Sequence, residues 1–541
     1  MRMRGVLCST PLAYAEARLL LNALIRGLLC GMSNTLLTER YQDRIVGVLG
    51  CFDRIVITGS LPDCCHVDAM KTQLLKRKIR FFDYPKLVDP LRNRLHENAQ
   101  ALAQAAGVQV EAIRTFKGFR KEDRIAEILE KRGTHPGLVH VFSAMENCNC
   151  FKPWHDRATG RTYLKAAGGR CAHLYFYFID ELLGLCYLRV PTWAPFRLQF
   201  YGNGHNWLAG RLRREKIVFT QQDNAIVAVE DFARAQELAD DLDPLILHKR
   251  LDRWARQFCP VEDVFPSGWH WSLLQVEYAT DIIFRHPDDL APLYETLTRR
   301  AIQEVKADDI ATFLGRHGLS PLFEGEGGSR YNVLIEGTRL RHSLGNTSIK
   351  MYDKFRHVLR IETTTHDVSF FKHYRKVVHR DGRTEMKHAP IQKTIHSLGA
   401  VREVLAAANR RYLEFLSVLE DDSSGRRDLD RVGRSVQDDA GRSYRGINFF
   451  LPADLDLALA IVRGEHLISG VTARKLHKRL PLWTSSQVSR AIRRLRELGL
   501  LRKIGGTFKY YITKLGQKVI TAAMHVRENT IIPSMAFPIH A

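Results

Sequence analysis

Apolar and polar positions follow two different periods in the first third of the chain. Two short β-rich runs occupy residues 47–61, and helical periodicity follows over 68–78, 90–106 and 122–131. A run rich in β-branched residues at 137–142 comes after the last of these helices. Helices that alternate with strands predict an α/β arrangement here.

After residue 142 the pattern changes to closely spaced aromatic and β-branched runs. Residues 163–201 predict an antiparallel β meander with a turn at Asp180–Gly184. Helical patterns return at 245–258 and 288–304, and the clearest strand alternation lies between Tyr331 and Thr365, with Gly345-Asn346 as a turn. We therefore expect a multidomain chain of mixed α/β (α+β) class.

Composition suggests where the domains begin and end. Residues 421–445 are polar, rich in Gly and Ser and almost free of aromatic residues, which predicts a linker. The expected division is a leader of doubtful status at 1–31, an α/β domain with β meander at 32–244, an α+β domain at 245–420, the linker at 421–445 and a DNA-binding domain at 446–541.

The C-terminal segment predicts three helices followed by two short strands around Gly505-Gly506. In the third helix, residues 485–498, Val488, Ile492 and Leu495 fall on one face and polar residues on the others. The polar side chains of this helix and of the two strands are therefore expected to contact DNA: Ser485, Gln487, Ser489, Arg490, Arg493, Arg494, Arg502, Lys503 and Lys509.

This segment resembles a winged helix-turn-helix of the MarR type over about 80 residues. The string Tyr510 to Gly516 is similar to the end of the wing and the start of the next helix in those regulators. The acidic-x-Arg wing tip and the long N-terminal dimerisation helix of that family are absent from the sequence. The resemblance implies binding to double-stranded DNA, but neither homodimeric operator binding nor sensing of a small ligand.

Charge supports a polyanionic partner. The 541 residues carry a formal net charge of +22, and residues 451–541 hold fifteen basic residues against five acidic ones. No apolar run is long enough to span a membrane. Ten irregularly spaced cysteines fit reduced thiols in a cytoplasmic protein. The leading hypothesis is a cytoplasmic DNA-binding protein that acts as a transcriptional regulator without catalysis.

Two constellations suggest other chemistry. Cys148, Cys150, Cys171 and His173 lie about twenty residues apart on pieces of one predicted hairpin, where they could hold zinc or serve as ordinary core and turn residues. Aromatic residues of the meander, from Tyr175 to Tyr201, lie beside Arg197 and could stack unpaired bases, which keeps RNA binding as an alternative. Such aromatic residues more often form the core of a sheet.

The last constellation is a strand pair between Ser348 and Glu362. It resembles, faintly, the Tyr-x-Lys and Arg-x-Glu strands of rolling-circle replication initiators, although the His-hydrophobic-His motif of that family is absent. The resemblance implies a metal-dependent DNA-nicking protein of a mobile element, with Tyr352 and Glu362 in the site. Further metal ligands would have to come from elsewhere, with Glu277, Asp281 and Asp367 as candidates. The alternative is cross-strand salt pairing in a hydrated sheet.

Overall fold

The structure is a computed structural model, and the chain is divided into two compact units at Glu420 and Asp421. It describes residues 35–113, 120–316, 327–334, 337–379, 381–420, 423–462, 466, 470–527, 531–532 and 535. The doubtful leader at residues 1–31 lies outside this range. Both units contain helices and strands, so the chain is of α+β class. None of the described helices is both long and apolar enough to cross a membrane.

The first unit has fifteen described strands, most of which form one large sheet. Its strands are β1 (Ile45–Ser60), β2 (Val110–Ile113), β3 (Gly137–Asp156), β4 (Arg161–Asp180), β5 (Gly184–Pro191), β6 (Leu198–Gly202), β7 (Phe219–Gln222), β8 (Ala225–Val229), β9 (His270–Phe284), β10 (Gly327–Leu334), β11 (Gly337–Leu344), β12 (Thr347–Lys354), β13 (Val358–Thr365), β14 (Lys372–Val378) and β15 (Thr384–Pro390). Eleven of them form the sheet in the order β10-β11-β12-β13-β9-β1-β6-β5-β4-β3-β2. Only β2 and β3 pair in parallel, so the sheet is mixed.

The helices of this unit are α1 (Leu37–Arg40), α2 (Val67–Lys76), α3 (Pro85–Ala105), α4 (Lys121–Arg132), α5 (Gly204–Glu215), α6 (Phe232–Asp240), α7 (Pro244–Phe258), α8 (Pro287–Glu304), α9 (Ala307–Phe313) and α10 (Leu398–Glu420). Helices α3, α7 and α10 bury their apolar side chains on one face of the sheet. The opposite face is covered by α4 at one side and by α5 and α6 at the other. A polar trough is left between these two covers.

The order of the strands shows an internal duplication. In the first half, β1 pairs antiparallel with β6, the last strand of the meander β3-β4-β5-β6. In the second half, β9 pairs antiparallel with β13, the last strand of the meander β10-β11-β12-β13. The two halves join through the antiparallel pair β1 and β9. The domains expected at 32–244 and 245–420 therefore share one continuous sheet. Without the other half, β1 or β9 would be an edge strand with unpaired backbone groups.

The second unit contains α11 (Ser423–Gly433), β16 (Val436–Gln437), β17 (Ser443–Tyr444), α12 (Pro452–Ile461), α13 (Ala473–Arg479), α14 (Ser485–Glu497), β18 (Leu501–Lys503), β19 (Tyr510–Ile512) and α15 (Lys514–Val526). Its core packs Leu457, Leu476, Val488, Ile492 and Leu501 together. From α12 onward, the elements follow the order that the sequence predicted.

The structure differs from the sequence prediction of a linker at 421–445. Helix α11 and the hairpin of β16 and β17 occupy most of that range. Val432 is 1 % exposed and belongs to the core of the second unit, and its carbonyl accepts a hydrogen bond from the amide of Ile447. A single buried valine thus fixes a segment whose average composition is that of a linker.

Candidate active site

A β-bulge places the first residue of the site. Strand β1 pairs with β9 in regular register up to Phe52 opposite Tyr278, and the register shifts before Arg54 opposite Glu277. Asp53 is the extra residue at this shift. A bulge turns side chains away from the regular alternation of a strand. It is the local feature that lets Asp53 lie next to carboxylates of two neighbouring strands.

Three buried carboxylates meet at this point. Asp53 of β1, Glu277 of β9 and Glu362 of β13 each offer an oxygen within 4.8 Å of the other two, and each residue is at most 8 % exposed. The three strands are adjacent in the sheet, because β9 lies between β1 and β13 and pairs with both. Oxygen ligands in this number and spacing suit Mg²⁺ or Mn²⁺.

Each of these carboxylates uses one oxygen within the protein. Asp53 Oδ1 accepts a hydrogen bond from Asn224 Nδ2 at 2.6 Å, Glu277 Oε1 from Gln275 Nε2 at 2.8 Å, and Glu362 Oε1 from Lys350 Nζ at 2.6 Å. No residue that the structure describes donates a hydrogen bond to Asp53 Oδ2, Glu277 Oε2 or Glu362 Oε2. Arg54 Nε lies 4.0 Å from Glu277 Oε2, which is beyond hydrogen-bond distance. One oxygen of each carboxylate is therefore without a hydrogen bond from the described residues.

Buried cations offset part of the negative charge of these carboxylates. Arg360 donates to both oxygens of Asp281 at 2.6 and 2.7 Å and to Asp53 Oδ1 at 3.3 Å, and it is 1 % exposed. Lys350 lies 3.8 Å from Glu277 in addition to its bond with Glu362. Lys354 is a third buried cation here, His205 lies 3.4 Å from Asp53 and 3.8 Å from Asp281, and Arg54 lies 4.0 Å from Glu277. Burial opposes protonation of His205, but its contacts with Asp281 and Asp53 raise its pKa. The spacing of the three carboxylate oxygens, rather than an excess of negative charge, therefore suits a bound cation.

The pKa values of the groups reflect this balance. Burial opposes ionisation of Asp53, but the charge of Arg360 and the hydrogen bond with His205 hold its pKa well below the usual range. Burial raises the pKa of Glu362, Lys350 offsets part of that effect, and the neighbouring Asp53 and Glu277 add to the increase. The ionised form of Glu362 is thus disfavoured, and a bound cation would stabilise it.

The three carboxylates open into a cavity of about 950 Å³, here called the carboxylate cavity, which is also lined by Lys350, Tyr352 and Arg54. Tyr352 is two residues after Lys350 on β12, so both side chains lie on the same face of the sheet. Burial, together with the charge of Glu362, raises the pKa of Tyr352. Its hydroxyl is therefore protonated near neutral pH and faces a cavity that contains candidate metal ligands.

The structure places the predicted nicking residues as follows. Tyr352, Glu362 and Glu277 come together, whereas Asp281 is held by Arg360 and Asp367 caps the turn of residues 368–370. Lys350, Lys354 and Arg360 all line the cavity, although Arg360 is held by Asp281 and Asp53. Asp53 was missed, although an acidic residue inside the apolar run Val48 to Ile57 is the signal that indicates it.

The expected zinc ligands do not assemble. Antiparallel pairing of β3 and β4 sets Cys148 opposite Gly169, Cys171 opposite Glu146 and His173 opposite Ala144. All four candidates, including Cys150, share one face of this hairpin, and the thiols of Cys148 and Cys171 are close enough to interact. Within the described residues, only Asp53, Glu277 and Glu362 form a group of three or more candidate ligands at metal-binding distance. Cys171 Sγ and His173 Nδ1 are 3.9 Å apart.

Most aromatic residues of the meander belong to the core. Tyr175, Tyr177, Phe196 and Phe200 are at most 5 % exposed. Tyr187 and Tyr201 are half-buried, line the carboxylate cavity and stack on each other with ring centroids 5.1 Å apart. Tyr177 also lines this cavity, but it is more deeply buried than the stacked pair.

In the second unit, the predicted DNA-contacting residues are exposed with one exception. Ser485, Gln487, Ser489, Arg490 and Arg493 lie on the exposed side of α14, and Arg502, Lys503 and Lys509 lie on the hairpin β18–β19. Gln487 Oε1 accepts a hydrogen bond from the amide of Thr484 at 2.7 Å, so it also caps the helix.

Arg494 is the exception, because its side chain is only 12 % exposed and binds Asp454 at 2.6 Å. The assumption that Arg494 faces solvent is therefore wrong. Asp454 lies inside the unit and attracts the guanidinium inward.

Comparison with protein-family models, with curated proteins and with solved structures finds no match for the chain, so its chemistry is argued from its own residues.

Proposed function

We propose that the chain is a divalent-metal-dependent enzyme that cleaves one strand of DNA, with its second unit binding the duplex as a winged helix. The observation that carries the proposal is the buried triad Asp53, Glu277 and Glu362, in which one oxygen of each carboxylate is without a hydrogen bond from the described residues. Three carboxylates on adjacent strands, beside a lysine and a tyrosine in an accessible cavity, provide the groups that phosphoryl transfer requires.

Each group has a distinct role. The triad holds Mg²⁺ or Mn²⁺, which polarises a phosphodiester oxygen when bound. Lys350 stabilises the negative charge that develops on the phosphorus oxygens, because it is fixed by Glu362 and Glu277 and needs no reorganisation during the reaction. Arg360 acts as a positioning residue, since its hydrogen bonds hold Asp53 and Asp281 rather than the substrate.

Tyr352 is the proposed nucleophile. Its phenolic oxygen forms a bond to phosphorus, the bond from phosphorus to the 3′ oxygen breaks, and the phenolic proton ends on the leaving 3′ oxygen. The products are a 5′-phosphotyrosine linkage and a free 3′ hydroxyl. The raised pKa of Tyr352 explains why a metal ion and Lys350 are needed, as the phenol must lose its proton during attack.

The test uses supercoiled plasmid and purified full-length protein with Mn²⁺. We expect conversion to the relaxed circle, loss of this activity with EDTA, and loss in Glu277→Gln because a neutral amide binds the metal poorly. Glu295→Gln is the matched control, as Glu295 is exposed on α8. Plasmid that stays supercoiled at all Mn²⁺ and Mg²⁺ concentrations would refute the enzymatic proposal.

The nucleophile is tested separately with a single-stranded oligonucleotide that carries a fluorophore at its 3′ end. A 5′-phosphotyrosine linkage would transfer the label to the protein, and the adduct would survive denaturing electrophoresis. Tyr352→Phe should abolish the adduct. Cleavage that continues in Tyr352→Phe without an adduct would show that water is the nucleophile.

A second candidate function is a non-catalytic DNA-binding regulator. It is favoured by the exposed polar side of α14, where Arg490 and Arg493 make no ion pair with any described residue, and by Lys350 and Arg360, which can serve as purely structural ion pairs. Under that alternative the protein binds duplex DNA and alters no strand. The plasmid assay separates the two candidates.

A further inference from the structure

A second cavity lies beside the carboxylate cavity and has the opposite charge. It measures about 920 Å³, and its lining includes Arg170, Arg189, Arg197 and Lys393 but no Asp or Glu among the described residues. We call it the basic cavity. Gln199 of β6 lines both cavities, so they are adjoining parts of the same trough.

Two of the four cations are available to a ligand. Arg170 and Arg197 are exposed and form no ion pair with any residue that the structure describes. Arg189 is held by Glu146 at 2.7 Å, and Lys393 lies 3.2 Å from Asp367. A recess with cations and no carboxylate in its lining attracts anions, and such attraction is strongest where low-dielectric walls concentrate the field.

The lining also offers surfaces for bases. Trp193 is half-buried in the basic cavity, and the Tyr187–Tyr201 pair lies on the same sheet face towards the carboxylates. Aromatic rings between cations are the usual platform for unpaired bases. A recess of about 920 Å³ has room for a few nucleotides of one strand.

The duplicated topology gives the two cavities different roles. Strands β5 and β6 of the first half correspond to β12 and β13 of the second. On the trough face, β12 and β13 carry Lys350, Tyr352 and Glu362, whereas β5 and β6 carry Tyr187, Arg189, Gln199 and Tyr201. The first-half pair thus keeps tyrosine and a cation but has no carboxylate to hold a metal.

We propose that the basic cavity binds the single strand of DNA that continues from the phosphodiester in the carboxylate cavity. Backbone phosphates contact Arg170 and Arg197, and bases stack on Trp193. The strand passes Gln199 on its way between the cavities. This inference rests on the proposed function for the identity of the substrate, but binding through the basic cavity requires no metal.

The experiment measures binding of a fluorescein-labelled 20-mer of deoxythymidine by anisotropy in EDTA, so that cleavage does not contribute. The full-length chain carries Arg490→Ala and Arg493→Ala throughout to remove the other proposed DNA-binding surface. Adding Arg170→Ala and Arg197→Ala should weaken binding at least about tenfold. The slope of log affinity against log salt should fall by about 1.4, at roughly 0.7 per lost phosphate contact.

Matched controls remove the same charge elsewhere. Arg299→Ala with Arg410→Ala changes exposed residues of α8 and α10, on the helix-covered face, and should leave the affinity unchanged. Arg170→Lys with Arg197→Lys should retain most of the binding. Unchanged affinity in the Arg170→Ala, Arg197→Ala protein would overturn the proposal even if plasmid is nicked.

The opposite combination of results separates the basic-cavity proposal from the catalytic proposal. Binding that depends on Arg170 and Arg197 in a protein that nicks no plasmid would support the basic cavity and refute the catalytic proposal. A 20-mer of uridine that binds more tightly than the DNA, with the same dependence on these arginines, would overturn the assignment to DNA. Equal loss of binding to a 20-base-pair duplex would overturn the assignment to a single strand.

Discussion

The surroundings of an ionisable residue set its pKa. His342, which lies outside the carboxylate cavity, is an example. Burial lowers the pKa of His342 to about 4. Its ring accepts or donates hydrogen bonds with Ser329 Oγ at 2.7 Å and Tyr412 Oη at 2.9 Å. The ring is 0 % exposed and remains neutral in the folded state over most of the acidic range.

This residue predicts a pH dependence of stability. An unfolded histidine takes up a proton below about pH 6.5. The folded protein does so only near pH 4, so protonation favours the unfolded state between these values. The contribution of His342 is fully present above pH 6.5 and is lost as the pH falls. Urea unfolding of His342→Gln at pH 7 and pH 5 should show a smaller pH dependence than the parent protein. An equal dependence would contradict this assignment.

Arg494 gives a second prediction for a single residue. It shares Asp454, 1 % exposed, with Arg445, whose side chain is half-exposed. Arg494→Ala should destabilise the second unit by about 2 kcal/mol, because it removes a charge-assisted hydrogen bond from a buried carboxylate. Thermal unfolding measures the change. Arg493→Ala is the matched control and should cost less than about 0.5 kcal/mol. It should instead weaken duplex binding. Similar losses of stability in both variants would show that the contact between Arg494 and Asp454 stabilises the unit no more than an exposed arginine does.

At the scale of elements, the contact between α11 and the chain that follows it can be tested with two glycines. A Cβ at Gly446 would lie 2.1 Å from the backbone oxygen of Gly433, whereas a Cβ at Gly433 would have nothing within 4 Å. Gly446→Ala should therefore detach α11 and let trypsin cut at Arg434 or Arg442. Gly433→Ala should leave the segment as resistant as in the parent protein. Rapid cutting of the unmodified protein between residues 430 and 445 would support the linker that composition suggests.

Local sequence patterns predict individual helices and turns, but they do not predict contacts between distant strands. Residues 485–498 and the turn at Gly345-Asn346 were predictable, because helical periodicity and turn propensity act within a few residues. Asp53 is marked in the sequence as an acidic residue within an apolar run. Its partners could not be predicted, because they depend on a shift in register between strands more than 200 residues apart. The zinc hypothesis stays a prediction. The thiols of Cys148 and Cys171 interact, but the register of β3 and β4 places Cys150 further along the hairpin from Cys171.

At the scale of the whole molecule, the two compact units have separate cores. We predict that residues 421–541, expressed alone, fold cooperatively and bind duplex DNA in a manner that depends on Arg490 and Arg493. Circular dichroism during heating and anisotropy with a duplex measure the two properties. A fragment that is unfolded in isolation would show that its core does not suffice. A folded fragment without affinity for DNA would contradict the role proposed for α14.

The duplicated sheet has a consequence for ancestry. A polypeptide equal to either half would expose the full edge of β1 or β9, and two identical copies would pair along that edge about a twofold axis. Such a dimer would possess two equivalent clefts. Fusion of two such copies into one gene would free each cleft to diverge, and among the described residues three carboxylates meet only where β13 closes the second half. A symmetric dimer with two reactive centres would sever both strands of a duplex. A fused chain with one centre would open a single strand, and the free 3′ hydroxyl could reseal it by attacking the phosphotyrosine.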